Sequence, residues 1–347
     1  MSPHGAGMQQ VVVVGGGVVG RSLLRALARA GLETTLVADG GAAASSVPVA
    51  LLNPNRGRTG RAHPEDLAAL NATWRWAAEL AAEGFAAGAH RTGAVRVADG
   101  PKQARAFASA GLAPTDPEAA GVRAPHGAFL VPDGGWLDPG AWCSALTGSA
   151  LARGARCLEG RTVVGAEPRA DGGWRLHLSG GFEERDAATL DTEQVVFAIG
   201  ASPWAVALQA AIGAAPAVER IAGDVVVTRC AAPALPIAGG TYVGPVERRG
   251  ERLAAIGGHH RSPGPPAVDA AARLRAAARW AVPELGTEDV HDRVWWGTRA
   301  KRPGGRPEVH ALAPGVRWVG GFSGRGFLAA AVVAEALATT IADASGG

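Results

Sequence analysis

The chain has 347 residues, enough for one large or two ordinary domains with a substantial hydrophobic core. Hydrophobic residues make up 47% of it and charged residues 19%, which is typical of a water-soluble globular protein. The net charge is only +3 and its arginines are spread thinly, so charge does not indicate nucleic-acid binding.

The cysteines and the two ends of the chain indicate a cellular compartment. Cys143, Cys157 and Cys230 have neither paired nor metal-type spacing, and an odd count argues against a disulfide framework. Free thiols fit a reducing cytoplasm. Residues 1–10 lack the features of a signal peptide, and the apolar stretch 327–341 contains an acidic residue and is too short to cross a bilayer. We therefore expect a cytoplasmic protein without a membrane segment.

Residues 11–39 carry the most informative pattern. Val11–Val14 are four β-branched residues in a row, which is typical of a buried strand in a parallel sheet. Gly15, Gly17 and Gly20 then follow in G-x-G-x-x-G spacing, which permits a tight turn, backbone approach to a pyrophosphate and close helix–strand packing. A helix and a second strand follow, ending at Asp39, where a carboxylate can bind a ribose hydroxyl. This order predicts a dinucleotide-binding Rossmann unit.

Two later segments point to the same crevice. The run 194–200 reads as a second buried strand, so Gly200 is expected to face the crevice beside Gly15, at the carboxyl ends of the strands. Residues 316–327 run from a strand through glycines into the last helix, whose N-terminus favours anions or electron-rich ring oxygens.

Antiparallel patterning occupies the remaining segments. We expect an α/β plus α+β fold in which two domains interleave. The Rossmann-like domain comprises residues 8–84, 136–216 and 299–344, and the antiparallel-sheet domain comprises residues 85–135 and 217–298.

Several segments, spread over nearly the whole chain, carry a family resemblance. They are Gly15–Gly20 with Asp39, Ala44–Ser46 with Ala50–Leu52, Val163, Val196–Gly200 with Trp204, Trp296–Arg299 and Gly321–Phe327. Together they resemble the flavin-dependent amino-acid oxidase superfamily, which includes glycine oxidase, D-amino-acid oxidase and sarcosine oxidase. The chain also resembles the flavin domain of the enzyme that trims carboxymethylaminomethyl groups from tRNA wobble uridines.

This resemblance implies FAD as the cofactor and the antiparallel-sheet domain as the substrate domain. The implied FAD-binding residues are Gly15, Gly17, Val18, Val19, Gly20, Asp39, Ser45, Ser46, Leu51, Val163, Gly200, Trp204, Ser323, Gly324, Arg325, Gly326 and Phe327. Sarcosine oxidases hold flavin through a cysteine in the C-terminal part of the chain. Because all the cysteines here lie elsewhere, we expect non-covalent FAD.

The resemblance also implies catalytic residues. Arg299 matches the family's carboxylate-binding arginine, and a guanidinium suits bidentate binding of a carboxylate. Tyr242, the only tyrosine, falls where relatives place a carboxylate-binding or lid tyrosine. His259 resembles a site histidine of sarcosine oxidase, whereas His260 is expected to face away. Arg325 could contact flavin or substrate. For any of these residues, ordinary packing is the competing interpretation.

Departures from the family affect the reaction with oxygen. Ala255 lies near the position of a lysine thought to assist oxygen in sarcosine oxidases, so we expect slow peroxide formation. Lys301 could replace that charge only if it points inward with Arg299. Arg56 and Arg58 are weaker site candidates, because a glycine-rich basic loop is usually just solvated.

The sequence thus predicts an FAD-dependent oxidoreductase that acts on CH–NH or CH–NH2 groups. Its predicted substrate is a small amine, an α-amino acid or an N-alkyl glycine, which loses a hydride to flavin N5. Oxygen or another acceptor would reoxidise the flavin, and neither membrane nor nucleic acid is expected as a partner. Two alternatives stay open: oxidation of a modified tRNA wobble uridine, and a non-catalytic FAD-binding partner protein.

Overall fold

The computed structural model describes residues 10–345, with gaps at 42–43, 171, 181–187, 204–205, 215, 230–231, 249, 259, 284 and 286–293. Trp204, Cys230 and His259, all named above, therefore lie outside the described residues. The α-helices are α1 (Val18–Arg29), α2 (Pro64–Ala82), α3 (Pro101–Ser109), α4 (Pro139–Leu151), α5 (Val206–Ile212), α6 (Ala270–Ala278) and α7 (Gly326–Ser345).

The strands vary from two to ten residues. In chain order they are β1 (Gln10–Val14), β2 (Glu33–Ala38), β3 (Ala50–Leu52), β4 (Ala89–His90), β5 (Ala94–Val97), β6 (Ala113–Thr115), β7 (Ala128–Val131), β8 (Gly135–Leu137), β9 (Arg156–Glu159), β10 (Thr162–Pro168), β11 (Trp174–Ser179), β12 (Ala188–Thr192), β13 (Gln194–Phe197), β14 (Glu219–Thr228), β15 (Ile237–Ala238), β16 (Tyr242–Arg248), β17 (Glu251–Gly257), β18 (Val294–Lys301), β19 (Glu308–Ala313) and β20 (Val316–Gly320).

The first sheet is the Rossmann-like sheet that the sequence predicts. Its strand order is β19-β20-β13-β1-β2-β9, and every pair is parallel except β19 with β20. The central strand β1 is buried on both faces, because α1 and α7 cover one side and the three-stranded meander β10–β12 covers the other. This explains why Val11, Val12 and Val13 form a continuous apolar run and are all 0% exposed.

The second large sheet has eight strands in the order β18-β14-β17-β16-β15-β5-β7-β6. It is antiparallel apart from the β15–β5 pair, and α6 packs against it. A small third sheet has the strand order β3-β8-β4. In the sequence, β3 and β4 lie between β2 and β5, and β8 lies between β7 and β9. The predicted boundary at residue 299 falls inside β18, which pairs with β14 over its whole length.

The apolar stretch that includes the last helix, α7, is longer than the sequence predicts. Residues 323–344 are long and apolar enough to cross a membrane by length and composition, although 44% of the 18-residue apolar window within them is buried inside the protein. Trp76 of α2 donates its indole N–H to Glu335 at 2.6 Å, and Arg75 forms an ion pair with the same carboxylate. These contacts are those of a core helix packed on α2.

Candidate active site

A long cleft opens at the carboxyl ends of the parallel strands, where open α/β sheets bind ligands. Its volume is about 1110 Å³, at the upper end of small-molecule sites (about 300–1000 Å³). The β1–α1 turn, the end of β2, the residues after β13 and the β20–α7 turn all line it. Of the predicted cofactor residues, those that line this cleft are Gly15, Gly17, Val18, Val19, Asp39, Ser45, Ser46, Val163, Gly200, Ser323 and Gly326.

The β1–α1 turn has the shape that a pyrophosphate needs. Gly15 adopts a φ of +119°, and a Cβ there would lie 2.5 Å from Ala198 O, so only glycine fits. A Cβ at Gly20 would lie 1.8 Å from Gly15 O, which explains why Gly20 supports helix packing and does not line the cleft. The Ser45 hydroxyl accepts a hydrogen bond from Val18 N at 2.9 Å, which caps the start of α1. Ser45 takes one N–H of this helix end, and the turn still lines the open cleft, where an anion would lie at the helix N-terminus.

The far end of the cleft suits a ribose and its base. The Asp39 carboxylate is exposed at the end of β2 and accepts a hydrogen bond from Gly41 N at 3.0 Å. Arg21 also lines the cleft, and it donates to Gly16 O at 2.8 Å and to Glu159 at 2.7 Å. The sequence alone does not predict this position of Arg21, because the pairing of β9 with β2 that brings Glu159 alongside cannot be seen locally.

An inner cavity of about 530 Å³ adjoins the cleft. Ser45, Gly297, Arg299, Ser323 and Gly326 line both spaces, so the two are continuous. The inner cavity is also lined by Leu51, Gly324 and Phe327, which were predicted to bind the cofactor. A ligand held in the cleft would therefore have one end exposed to this second space.

Two guanidinium groups meet at one point of the inner cavity. A Cβ at Gly324 would lie 2.9 Å from Arg56 Nη2 and 3.2 Å from Arg299 Nη1. Arg56 also donates to Gly324 O at 3.0 Å. Within the described residues no carboxylate lies at ion-pair distance from either group. Burial lowers the pKa of Arg56 to about 10 and also lowers the pKa of Arg299, and each still remains a cation at neutral pH.

Tyr242 completes this wall of the cavity. It begins β16 opposite Gly257 of β17, and a Cβ at Gly257 would lie 2.4 Å from the phenol oxygen. The ring therefore packs flat over a glycine, which leaves its hydroxyl beside the cavity. Burial raises the pKa of Tyr242 to about 12, and the charge of Arg299 opposes part of that rise. The hydroxyl is thus protonated at working pH and can donate a hydrogen bond.

The inner cavity is also lined by an ion-paired acid, Asp224. Asp224 is only 3% exposed and is bound by Arg261 through contacts of 2.9 Å (Nε) and 2.6 Å (Nη2). His260, which was expected to face away from the site, lines this cavity, since the chain turns at Gly258 and no longer follows strand alternation. Because the Asp224–Arg261 pair is internally balanced, the positive charges of the cavity that lack a carboxylate partner among the described residues are those of Arg56, Arg299 and Arg96.

Two other predicted charges lie elsewhere. Arg325 lines neither cavity, and its guanidinium binds Asp66 at 3.1 Å and Gly305 O, which holds the turn before α7. Lys301 forms an ion pair with Glu219 at 3.1 Å, so it does not supply charge to the inner cavity. Ala255, at the position discussed for oxygen, is fully buried in β17.

Comparisons with known proteins agree with this geometry. Residues 10–340 match the family described as FAD dependent oxidoreductase (DAO). Glycine oxidase from Geobacillus kaustophilus has a TM-score of 0.78 and 23% identity, covering 97% of this chain and 95% of that one. Iminodiacetate oxidase from Chelativorans sp. has a TM-score of 0.78 and 15% identity, covering 95% of both chains.

A curated relative adds a second line of similarity. The tRNA 5-methylaminomethyl-2-thiouridine biosynthesis bifunctional protein MnmC from Maricaulis maris is 29% identical over 350 residues. That alignment covers 95% of this chain but only 52% of the relative, so the chain spans about half the length of that protein.

The family match over residues 10–340 makes the protein an FAD-dependent oxidoreductase. The chain belongs to the FAD dependent oxidoreductase (DAO) family, and its cofactor is FAD. The residues that line the cleft fit this group: the turn at Gly15 and Gly17 would hold the pyrophosphate, Asp39 the ribose, and the β20–α7 turn the ring.

Proposed function

We propose that the protein dehydrogenates a small amine that bears a carboxylate, an α-amino acid or an N-alkyl glycine. The observation that carries this proposal is the pair of unpaired guanidinium groups, Arg56 and Arg299, beside the Tyr242 hydroxyl in the inner cavity. Two desolvated cations at one point repel each other unless an anion lies between them. A carboxylate supplies that anion in the geometry that a guanidinium prefers.

The roles of these residues follow from their positions. Arg299 and Arg56 would bind the two carboxylate oxygens, and Tyr242 would donate a hydrogen bond to one of them. This contact fixes the carbon next to the carboxylate at the boundary between cavity and cleft, where Ser45, Gly297 and Ser323 line both. Bound FAD supplies the two-electron acceptor for the hydride from the C–H bond next to nitrogen. The amine becomes an imine, which water hydrolyses.

Reoxidation of the flavin by oxygen depends on the positive charges near the inner cavity. Lys301 is held by Glu219 and Ala255 carries no charge, so among the described residues Arg56, Arg299 and Arg96 are the cations of the inner cavity without a carboxylate partner. Arg56 and Arg299 would be engaged by substrate or product, and Arg96 donates to the backbone carbonyls of Asn55 and Gly57. We infer slow turnover with oxygen and faster turnover with an artificial acceptor. Superoxide forms as an anion, and no free positive charge among the described residues then remains in the cavity to stabilise it.

A tRNA substrate is the second candidate, and the similarity to MnmC over 95% of the chain favours it. A carboxymethylaminomethyl group is itself an N-alkyl glycine, so the same cavity chemistry would apply. The exposed basic residues Arg58 and Arg61 follow Arg56 on one loop and could lie along a nucleic-acid backbone. The two candidates share the N-alkyl glycine group and differ in what it is attached to: a small alkyl group in the first and a tRNA nucleotide in the second.

The test is anaerobic mixing of the holoenzyme with two kinds of substrate. The first set comprises glycine, N-methylglycine and other N-alkyl glycines, and the second is an anticodon stem-loop that carries carboxymethylaminomethyluridine. Bleaching of the flavin by a free amine supports the first candidate. Bleaching by the RNA alone supports the second. Reduction by dithionite but by no substrate of either set would refute both.

A further inference from the structure

We propose that Arg96, a buried arginine of β5, is a positioning residue that holds Arg56 at the substrate carboxylate. The inference rests on the proposed function of the inner cavity. Arg96 belongs to the eight-stranded sheet, whereas Arg56 lies on the connection between β3 and α2. We call residues 53–60 of that connection the Arg56 loop.

The surroundings of Arg96 are unusual for a charged side chain. It is only 7% exposed, and its guanidinium lies 4.3 Å from the centre of the Phe107 ring. No described carboxylate lies within ion-pair distance of it, and its Nε has no hydrogen-bond partner. An apolar side chain would fill this space over Phe107 without the cost of burying a charge. The guanidinium must therefore contribute something that packing does not.

Its hydrogen bonds show what that contribution is. Arg96 Nη1 donates to Asn55 O, and Nη2 donates to Gly57 O at 2.8 Å. Asn55 O belongs to the peptide unit that enters Arg56, and Gly57 O belongs to the peptide unit that follows Gly57, so one planar group holds the backbone on both sides of Arg56. The loop also has internal hydrogen bonds, from Arg56 N to Pro54 O at 3.0 Å and from Asn55 Nδ2 to Gly60 O at 2.9 Å, and the Arg56 side chain donates to Gly324 O.

These hydrogen bonds would keep Arg56 close to Arg299 in the cavity. Arg56 and Arg299 repel each other, so a free loop would carry Arg56 away from Gly324 into solvent. Although Arg96 also lines the inner cavity, its Nη1 and Nη2 atoms both donate to carbonyls of the loop, so it opposes that movement through the backbone. The loop is then preorganised before binding, and less free energy is lost in ordering it when a carboxylate enters.

The test is a double-mutant cycle on the FAD-loaded protein with Arg56→Met, Arg96→Met and the double variant. The ligand is methoxyacetate, which replaces the amine nitrogen of N-methylglycine with an ether oxygen and so cannot form an imine. Its Kd is measured by isothermal titration calorimetry, with uncharged methoxyacetamide as the ligand control. Arg105→Met, at an exposed position of α3 that lines neither cavity, is the matched variant control.

Each single substitution is expected to raise the Kd of methoxyacetate roughly ten- to hundredfold, and the double variant to bind no more weakly than Arg56→Met. Arg96→Lys, which reaches one carbonyl instead of two, should fall between wild type and Arg96→Met, and it replaces Arg96→Met if that variant does not fold. Two results would overturn the positioning role but not the proposed function. One is a double variant whose rise in Kd equals the product of the two single rises, and the other is an unchanged Kd in the Arg96 variants while Arg56→Met binds weakly. Failure of methoxyacetate to bind the wild type would overturn the proposed function and this inference with it.

Discussion

Replacing Arg299 with lysine separates the geometry of the carboxylate site from its charge. No described residue accepts a hydrogen bond from the Arg299 side chain, so its donors are available to a ligand. A carboxylate would receive two charge-assisted hydrogen bonds from the guanidinium but one from an ammonium. Loss of one such bond costs about 1.5–3 kcal/mol, which corresponds to a fall in kcat/KM of roughly ten- to hundredfold.

The variant should also acquire a pH dependence. Burial is the main reason that the pKa of Arg299 is lowered, and the same burial would lower the pKa of a lysine from its ordinary value of about 10.4. The ratio of variant to wild-type kcat/KM should therefore fall as pH is raised, since the lysine loses its proton and the guanidinium does not. Taking the ratio removes the contribution of the substrate's own amine.

Stopped-flow flavin reduction across a pH series gives both quantities. N-methylglycine and its carboxamide are compared as substrates, and Arg58→Lys serves as the control because Arg58 is exposed and lines neither cavity. FAD content and melting temperature should match the wild type. An equal loss on the carboxamide, or unchanged kinetics on the carboxylate, would show that Arg299 does not hold a carboxylate.

Three further outcomes follow from single contacts. Asp39→Ala should weaken FAD binding by a factor of about ten, measured by fluorescence titration of apoprotein, because a ribose hydroxyl loses its acceptor; an unchanged Kd would remove Asp39 from the site. Gly257→Ala should raise KM by displacing the Tyr242 ring, whereas Gly100→Ala, which meets no atom within 4 Å, should not; equal kinetics in the two variants would contradict the stacked arrangement. Iodoacetamide should label Cys143 slowly at pH 8, because burial raises its pKa to about 11, and rapid labelling seen by mass spectrometry would contradict that environment.

Local patterns predicted the Rossmann-like part of the fold well. The valine run of β1, the glycine turn and the strand that ends at Asp39 each carry a strong local signal, and the structure confirms the parallel sheet. The Asp138 side chain caps α4 as its position before Pro139 predicts, accepting a bond from Ala141 N at 3.0 Å. Such features depend on neighbours within a few residues.

The substrate side of the site depends on contacts between distant segments. Arg56 lies in a glycine-rich basic loop that resembles any solvated loop, and only the approach of Gly324, 268 residues later in the chain, brings it to Arg299. Arg96 lies in an apolar strand, where alternation gives no sign that it binds the carbonyls of another segment. Asp224 likewise becomes a cavity residue through its partner Arg261. The local sequence pattern around each residue does not predict these contacts between distant segments.

The measurement that tests the central claim most directly is anaerobic titration of the holoenzyme with an N-alkyl glycine and with its carboxamide. The account predicts that the carboxylate form bleaches the flavin absorbance to completion and leaves one imine-derived carbonyl product per FAD. The carboxamide should bleach it far more slowly, because Arg56 and Arg299 then face an uncharged group. Equal rates for the two forms would contradict the account.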